Sequence, residues 1–259
     1  MARPRVYKTE AIVLKRTNLG EADSIITFYT PNLGKLRAVA KGVRRPKSKL
    51  GGHLDLLTQS SLMLAQGQNL DVITQSQTIE SFLPLRSDLW RTSCAIYLLE
   101  LVDQFTAEQV ENYPIYRLLQ TALLRLCEAQ SNELVLRHFE LHLLSYLGYQ
   151  PELYQCLNCR APLALGRNLF SVSGGGMVCP NCAKKEQLVR PISVDAIKVM
   201  RFLLKNDLGS ASRLKTSAEL SHELEQLTRQ YIRYLLEQEV KSVEFLDRLR
   251  LELTSQSGC

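Results

Sequence analysis

Two pairs of closely spaced cysteines constrain the fold of this chain more than any other feature. CLNC at positions 156–159 and CPNC at positions 179–182 are separated by 19 residues. Each CxxC pair makes a tight turn that directs two thiolates to one point, and two such pairs complete the tetrahedral four-sulfur set that zinc prefers. We therefore predict one structural zinc ion with four ligands: Cys156, Cys159, Cys179 and Cys182.

The segment between the two cysteine pairs indicates how they are brought together. FSVSGGGMVC, Phe170–Cys179, has the pattern of a strand, a glycine turn and a second strand. A β-hairpin here would join the two pairs as in a zinc ribbon. A redox site would need only one CxxC pair, and an iron–sulfur cluster has no other support in the sequence.

The first 80 residues are predicted to form mainly β-strands. Turn residues separate five short segments, and Asp23–Thr30 among them is rich in the β-branched and aromatic residues that favour strands. The segments are Glu10–Arg16, Asp23–Thr30, Lys35–Lys41, Gln59–Gln66 and Leu70–Glu80. Five strands with one long connection suit a small barrel of the OB type over residues 1–82, although a fragment of a β-sandwich would give the same pattern.

From about Ser87 the apolar residues recur every three or four positions, which indicates helices. We predict helices at 87–105, 113–129, 131–148, 193–206 and 216–239, and expect the first three to form an antiparallel bundle. Ser131 is the expected cap of the third helix, and Thr216 with Glu219 has the spacing of a capping box. The expected fold class is α+β: a five-stranded OB-type barrel, then an α-helical domain over 83–259 with a zinc module inserted at 153–189.

The charge of the chain is concentrated at its amino end. The formal net charge is +6, but the first 50 residues hold twelve Lys and Arg against three Asp and Glu, a net charge of +9. The other 209 residues therefore carry 20 basic and 23 acidic side chains, a net charge of −3. Segregated positive charge of this kind indicates a polyanionic partner.

Much of this charge lies in one short run, AKGVRRPKSKLGG at positions 40–52. Its glycines and proline predict a loop, which we call the basic loop and define as residues 41–49. Because side chains alternate along a strand, the preceding strand should place Lys35 and Arg37 on one face and apolar side chains on the other. The cations expected to form one continuous surface for nucleic acid are Lys35, Arg37, Lys41, Arg44, Arg45, Lys47 and Lys49.

Two aromatic residues, Phe28 and Tyr29, are candidates for stacking on unpaired bases, but residues at such spacing are more often part of a core. Duplex recognition in a groove has no helix-turn-helix or basic recognition helix to support it. Single-stranded DNA, or two strands being brought together, is therefore the partner that the charge pattern favours.

The sequence contains no pattern that assembles catalytic chemistry. It has no phosphate-binding loop of the GxxxxGK[ST] type, no GxSxG elbow and no GxGxxG motif. His138–Glu140 followed by a CxxC pair is similar to a zinc deaminase signature, but Gln155 stands where that signature has proline. We expect a protein that is not an enzyme.

No apolar run has signal-peptide or membrane-helix length, so we expect a cytoplasmic protein without a membrane partner.

Several segments resemble the RecO family of bacterial DNA-repair proteins. EADSIITFYTPNLGKLRAVAKGVRRPKSKLGG (21–52) and KTEAIVLKR (8–16) are similar to its N-terminal domain. LGYQPELYQCLNC (147–159) resembles the entry to its zinc module, and KSVEFL (241–246) its C-terminal segment. The resemblance covers nearly the whole chain in order.

The resemblance implies an OB-fold domain, a helical domain and a four-cysteine zinc module that some members lack. It also implies a recombination mediator at the bacterial nucleoid that binds single- and double-stranded DNA and anneals complementary strands. Such proteins act with RecR, and with RecF in some settings. They help RecA replace the single-strand-binding protein on gaps, and they contact the C-terminal tail of that protein. By position, the seven cations named above match the family's DNA-contacting region.

Two other classes of function stay open from the residues alone. In the first, the zinc ribbon and the helices form a scaffold that docks proteins, while the basic loop binds RNA or an acidic partner. In the second, the chain is a zinc-dependent enzyme acting on nucleic acid, which would turn over DNA.

Overall fold

The computed structural model describes residues 5–128, 133–163 and 168–256. Its internal contacts divide the chain into two compact units. The first unit comprises residues 1–127 with 245–259, and the second comprises residues 128–244. Ser131, the expected cap of the third helix, lies outside the described residues.

Five strands of the first unit form a closed barrel with the order β1-β2-β3-β5-β4. Neighbouring strands are antiparallel except for β3 and β5, which are parallel. β1 has 14 residues and pairs with both β2 and β4, which closes the barrel. This arrangement confirms the barrel and excludes the sandwich fragment. The strands are β1 (Val6–Leu19), β2 (Asp23–Thr30), β3 (Gly34–Ala40), β4 (Gln59–Ala65) and β5 (Asp71–Glu80).

Alternation along the strands fills the barrel as predicted. Leu36, Ala38 and Ala40 of β3 lie in the barrel core with apolar residues of the other four strands. Phe28 and Tyr29 are both fully buried, so neither presents a ring to solvent for base stacking. The interpretation of these two residues as core is therefore confirmed.

The helices begin after the barrel. The first unit contains α1 (Leu83–Arg86), α2 (Leu89–Phe105) and α3 (Tyr113–Glu128). The second contains α4 (Glu133–Tyr146), α5 (Pro180–Ala183), α6 (Val194–Lys205), α7 (Leu208–Ala211) and α8 (Ala218–Leu236), and α9 (Lys241–Gln256) follows. No helix within the described ranges is both long enough and apolar enough to cross a membrane.

Side-chain contacts within the first unit join the barrel to α3 and to the segment after α2. Gln59 Nε2 donates to Tyr116 Oη at 3.1 Å, and Gln120 Nε2 donates to Gln59 Oε1 at 2.9 Å. Gly34 has φ of +63°, and a Cβ placed there would lie 1.9 Å from the carbonyl oxygen of Val110. The compact unit thus extends beyond residue 82, where the barrel domain was expected to end, and the domain boundary at residue 82 stays a prediction.

The second unit combines helices with a small sheet. Strands β6 (Asn168–Ser171), β7 (Gly176–Val178) and β8 (Val189–Ile192) form an antiparallel sheet with the order β7-β6-β8. The helix α4 packs against α6, α7 and α8. The predicted bundle of the first three long helices is therefore wrong, because α4 belongs to a different compact unit from α2 and α3.

The start of α8 also differs from the predicted capping box. Ser217 is the N-cap, and its side chain accepts from the backbone N–H of Leu220 at 3.2 Å. Thr216 Oγ1 instead contacts Ser221 Oγ at 2.8 Å. The helix begins one residue later than expected because either hydroxyl could serve as the cap.

Candidate nucleic-acid interface and metal centre

The basic loop leaves β3 on a backbone that the barrel holds in place. Gly42 has φ of +63°, and its N–H donates to Asp23 Oδ1 at 2.7 Å. The side chain of Val43 is buried in the barrel core. The N–H of Arg44 donates to the carbonyl of Ala22 at 2.9 Å. The loop is therefore a fixed platform at the end of the barrel where the β1–β2 turn also lies.

The five cations of the loop are exposed on this platform. Arg44 Nη1 donates to the carbonyl oxygen of Gly20 at 3.0 Å, which holds that guanidinium against the β1–β2 turn. Within the described ranges, none of the five has a carboxylate within ion-pair distance. Their charge is consequently available to an external anion. The five are Lys41, Arg44, Arg45, Lys47 and Lys49.

The structure differs from the predicted surface at Lys35. This side chain is only 11% exposed, and its ammonium contacts both the carbonyl and the carboxylate of Asp103, with Nζ 3.2 Å from Oδ1. Arg37 lies nearby, 3.6 Å from a carboxylate oxygen of Glu108. Acids from the end of α2 and the following segment thus neutralise the strand part of the expected surface, and the strand and loop do not present one continuous cationic face.

The four predicted metal ligands converge in the second unit. The four Sγ atoms all lie within 4.8 Å of one another, and those of Cys159 and Cys179 are 3.8 Å apart. Four thiolates at 2.3 Å from one tetrahedral zinc would lie about 3.8 Å apart. The cluster therefore fits a metal ion of this size and could bind one.

The thiols at this centre differ in how readily they ionise. Burial opposes ionisation of Cys156, but the backbone N–H groups of Cys159, Cys179 and Asn158 outweigh it and lower the pKa of Cys156 to about 6. Hydrogen bonding to Cys179 raises the pKa of Cys182 to about 12. Thiols this close cannot all ionise unless a cation balances their charge.

The hairpin between the cysteine pairs is fixed by contacts within the second unit. β6 and β7 pair antiparallel, and Glu186 accepts hydrogen bonds from Ser171 Oγ at 2.5 Å and from Asn158 Nδ2 at 2.9 Å. Gly175 has φ of +70°, and a Cβ there would lie 2.3 Å from Tyr231 Oη. The predicted strand–turn–strand pattern of this segment is confirmed.

Two histidines that stand four residues apart on α4 have a structural role. The rings of His138 and His142 stack with their centroids 4.1 Å apart. His138 Nε2 lies 3.1 Å from the carbonyl oxygen of Asn206, and His142 Nε2 lies 3.0 Å from that of Leu203. A nitrogen that faces a carbonyl must carry the proton. The two histidines therefore satisfy carbonyls at the end of α6 rather than presenting these nitrogens to a metal.

Sequence reasoning missed two arginines near the basic loop. Arg16 Nη1 contacts Asp55 Oδ1 at 3.0 Å, and Arg86 Nη2 donates to the carbonyl of Leu56 at 3.0 Å. Both line a groove together with residues 55–57. No local pattern marks them, because they come from the first strand and from the helix after the last strand.

Comparison with known proteins gives matches over nearly all of the chain. The family model "Recombination protein O N terminal" matches residues 1–82, and "Recombination protein O C terminal" matches residues 86–244. A DNA repair protein RecO from Dehalococcoides mccartyi strain CBDB1 is 43% identical over 251 residues, which cover 97% of this chain and 99% of that protein.

Further relatives agree with this match. The DNA repair protein RecO of Roseiflexus sp. strain RS-1 is 43% identical over 98% of this chain and 90% of its own length. The one from Desulforamulus reducens is 38% identical over 95% of each chain. Both family models and these full-length relatives lead to the same conclusion: the chain belongs to the RecO family.

Proposed function

We propose that this protein takes part in DNA repair as a mediator that binds DNA through the basic loop and anneals complementary strands. One observation carries the proposal: five exposed cations without acidic partners, within the part of the chain that the structure describes, stand on a loop held by the barrel core. Cations of this kind neutralise phosphates and release counterions without reading sequence.

Annealing makes and breaks no covalent bond, so the proposed function does not require an enzyme. Two single strands repel each other through their phosphates, and a dense cationic surface reduces that repulsion when both strands bind to it. The names of the relatives support a role in DNA repair. By the family resemblance, the proposed partners are DNA in single- and double-stranded form, RecR, RecF in some settings, and the C-terminal tail of the single-strand-binding protein, with RecA loading as the outcome.

The metal that we propose for the four cysteines is one zinc ion. The all-sulfur donor set and the spacing of the Sγ atoms match tetrahedral zinc, and four protein ligands leave no coordination position for substrate. Bound zinc would supply no catalytic step here. It would balance the thiolate charge and hold the two CxxC turns against the hairpin, within a module that we propose spans 153–189.

The proposal is tested by an annealing assay with complementary strands coated by the cognate single-strand-binding protein. The loop variant Arg44→Glu/Arg45→Glu/Lys47→Glu should anneal these strands much more slowly than wild type. The control variant Lys205→Glu/Arg213→Glu/Lys215→Glu changes net charge equally at exposed cations of the second unit, and it should anneal at close to the wild-type rate. Equal loss in both variants, or no loss in the loop variant, would contradict the proposal.

A further inference from the structure

A groove beside the basic loop has a chemistry that the proposed function does not use. It lies within the first unit, has a volume of about 560 Å³ and is open to solvent at several of its lining residues. Its lining combines apolar side chains, Leu56, Leu57 and Ile96, with the two guanidinium groups of Arg16 and Arg86. We infer that this groove receives one nucleotide of a single strand held by the basic loop, an inference that rests on the proposed function.

The walls of the groove are already in place. Leu57 is buried, and the N–H of Val13 donates to the carbonyl of Thr58 at 3.0 Å, which ties the residue before β4 to β1. Arg86 Nη2 donates to the carbonyl of Leu56 at 3.0 Å and to Thr58 Oγ1 at 2.7 Å. A ligand would therefore meet a rigid wall, with little ordering cost to subtract from its affinity.

The charge of the groove matches a single phosphate. Arg16 lies 3.0 Å from Asp55, so that pair contributes little net charge. Arg86 has no carboxylate within ion-pair distance among the residues described, and its bonds to the wall use only Nη2. Its Nε and Nη1 hydrogens remain for a ligand, and a charged guanidinium donates strongly to phosphate oxygens.

The apolar side of the groove matches a base. Leu56 is 40% exposed, Leu57 is buried, and Ile96 of α2 adds a third apolar side chain to the lining. One uncompensated guanidinium beside one apolar surface fits the repeating unit of a single strand, which carries one phosphate and one flat apolar ring system. An acidic peptide fits less well, because several carboxylates would share one free cation and would meet Asp55.

The groove also lies within reach of the basic loop. Asn18, which lines the groove, pairs with Ser24 on β2, and Ser24 pairs with Ala40, the residue before the loop. Two strand spacings, roughly 10 Å, therefore separate Asn18 from the start of the loop. The loop ends a few residues before Asp55 and Leu56. A strand bound to the loop cations can thus reach the groove without leaving the surface of the first unit.

The test compares two oligonucleotides of equal length, one of thymidines and one abasic, in binding titrations over a range of salt. Arg86→Gln should weaken binding of both about five- to tenfold and reduce the salt slope by about 0.7, the value for one phosphate of a single strand. Leu56→Ser should weaken binding of the thymidine strand roughly threefold, leaving the abasic strand and the salt slope unchanged.

Lys8→Gln is the matched control, because Lys8 is an exposed cation on β1 roughly 26 Å along the strand from Arg16. If Arg86→Gln and Leu56→Ser bind both strands as Lys8→Gln does, the inference is wrong. It is also wrong if these variants lose affinity only for a peptide carrying the acidic tail of the single-strand-binding protein. If the loop variant loses DNA binding while the groove variants keep it, only the groove assignment fails. If the loop variant keeps DNA binding, the proposed function fails instead.

Discussion

At the scale of single residues, position along the sequence did not determine which cations are exposed to solvent. Lys35 and Lys47 belong to the same basic segment, yet Lys35 is nine-tenths buried against Asp103, whereas Lys47 is exposed. The partner of Lys35 lies 68 residues further along the chain. No alternation pattern within the strand could predict this contact.

Lys35→Gln should therefore lower the stability of the protein and leave DNA binding almost unchanged. Removing the ammonium leaves polar atoms of Asp103 without their contact, which should cost about 1–2 kcal/mol, a value reduced because Asp103 is partly solvated. Lys47→Gln should have the opposite profile, with unchanged stability and weaker binding. Urea unfolding and DNA titration of both variants make the comparison. If both variants lost the same affinity for DNA, Lys35 would have to be counted among the residues that contact DNA.

A second prediction at this scale concerns acid stability. Burial and the neighbouring His142 lower the pKa of His138 from its usual 6.5 to about 4. Between pH 6.5 and 4 the histidine is therefore protonated in the unfolded chain but neutral in the folded protein. The free energy of unfolding consequently falls as the pH drops from 6.5 towards 4. The full difference is about 3 kcal/mol.

His138→Gln keeps a donor for the carbonyl of Asn206 but cannot titrate. Free energies of unfolding measured across this pH range should fall less steeply for the variant than for wild type, by up to about 1.4 kcal/mol per pH unit. Parallel curves for the two proteins would show that folding does not lower the pKa of His138.

At the scale of elements, local patterns predicted the strands and the metal ligands well. The predicted strand segments match β2 and β4 to within a residue, and the CxxC spacing located four thiols that converge. The sequence could not predict which helices pack together, since α2, α3 and α4 all have apolar faces and only the tertiary contacts separate them. It also could not choose between adjacent hydroxyls at Thr216 and Ser217 for the cap of α8.

The metal centre leads to a prediction for the element that it holds. The purified protein should contain one zinc ion per chain by elemental analysis, and a chelator should lower its melting temperature because the hairpin depends on the two CxxC turns. Cys179→Ser should bind less zinc, whereas Cys127→Ser, outside the cluster, should still bind one ion per chain. A metal-free preparation that melts like the zinc-containing protein would contradict a structural role.

At the scale of the whole molecule, the positive charge is concentrated in the unit that contains the barrel, while the cysteine cluster lies in the other unit. The proposed DNA surface and the proposed zinc site therefore belong to different units, and metal removal should affect stability more than the salt dependence of DNA binding. Local sequence patterns could not predict two features, the closure of the barrel by β1 and β4 and the groove beside the basic loop. Both features join segments that are distant in sequence.

The most direct test of the account is the salt dependence of affinity for a single-stranded oligonucleotide, measured between about 50 and 200 mM salt. Each phosphate neutralised on a single strand contributes about 0.7 to the slope of log K against log salt. The variant Arg44→Glu/Arg45→Glu/Lys47→Glu should therefore bind more weakly and with a slope smaller by about two units. The control Lys205→Glu/Arg213→Glu/Lys215→Glu should keep the wild-type slope. An unchanged slope in the loop variant would contradict the central claim that these cations hold the DNA backbone.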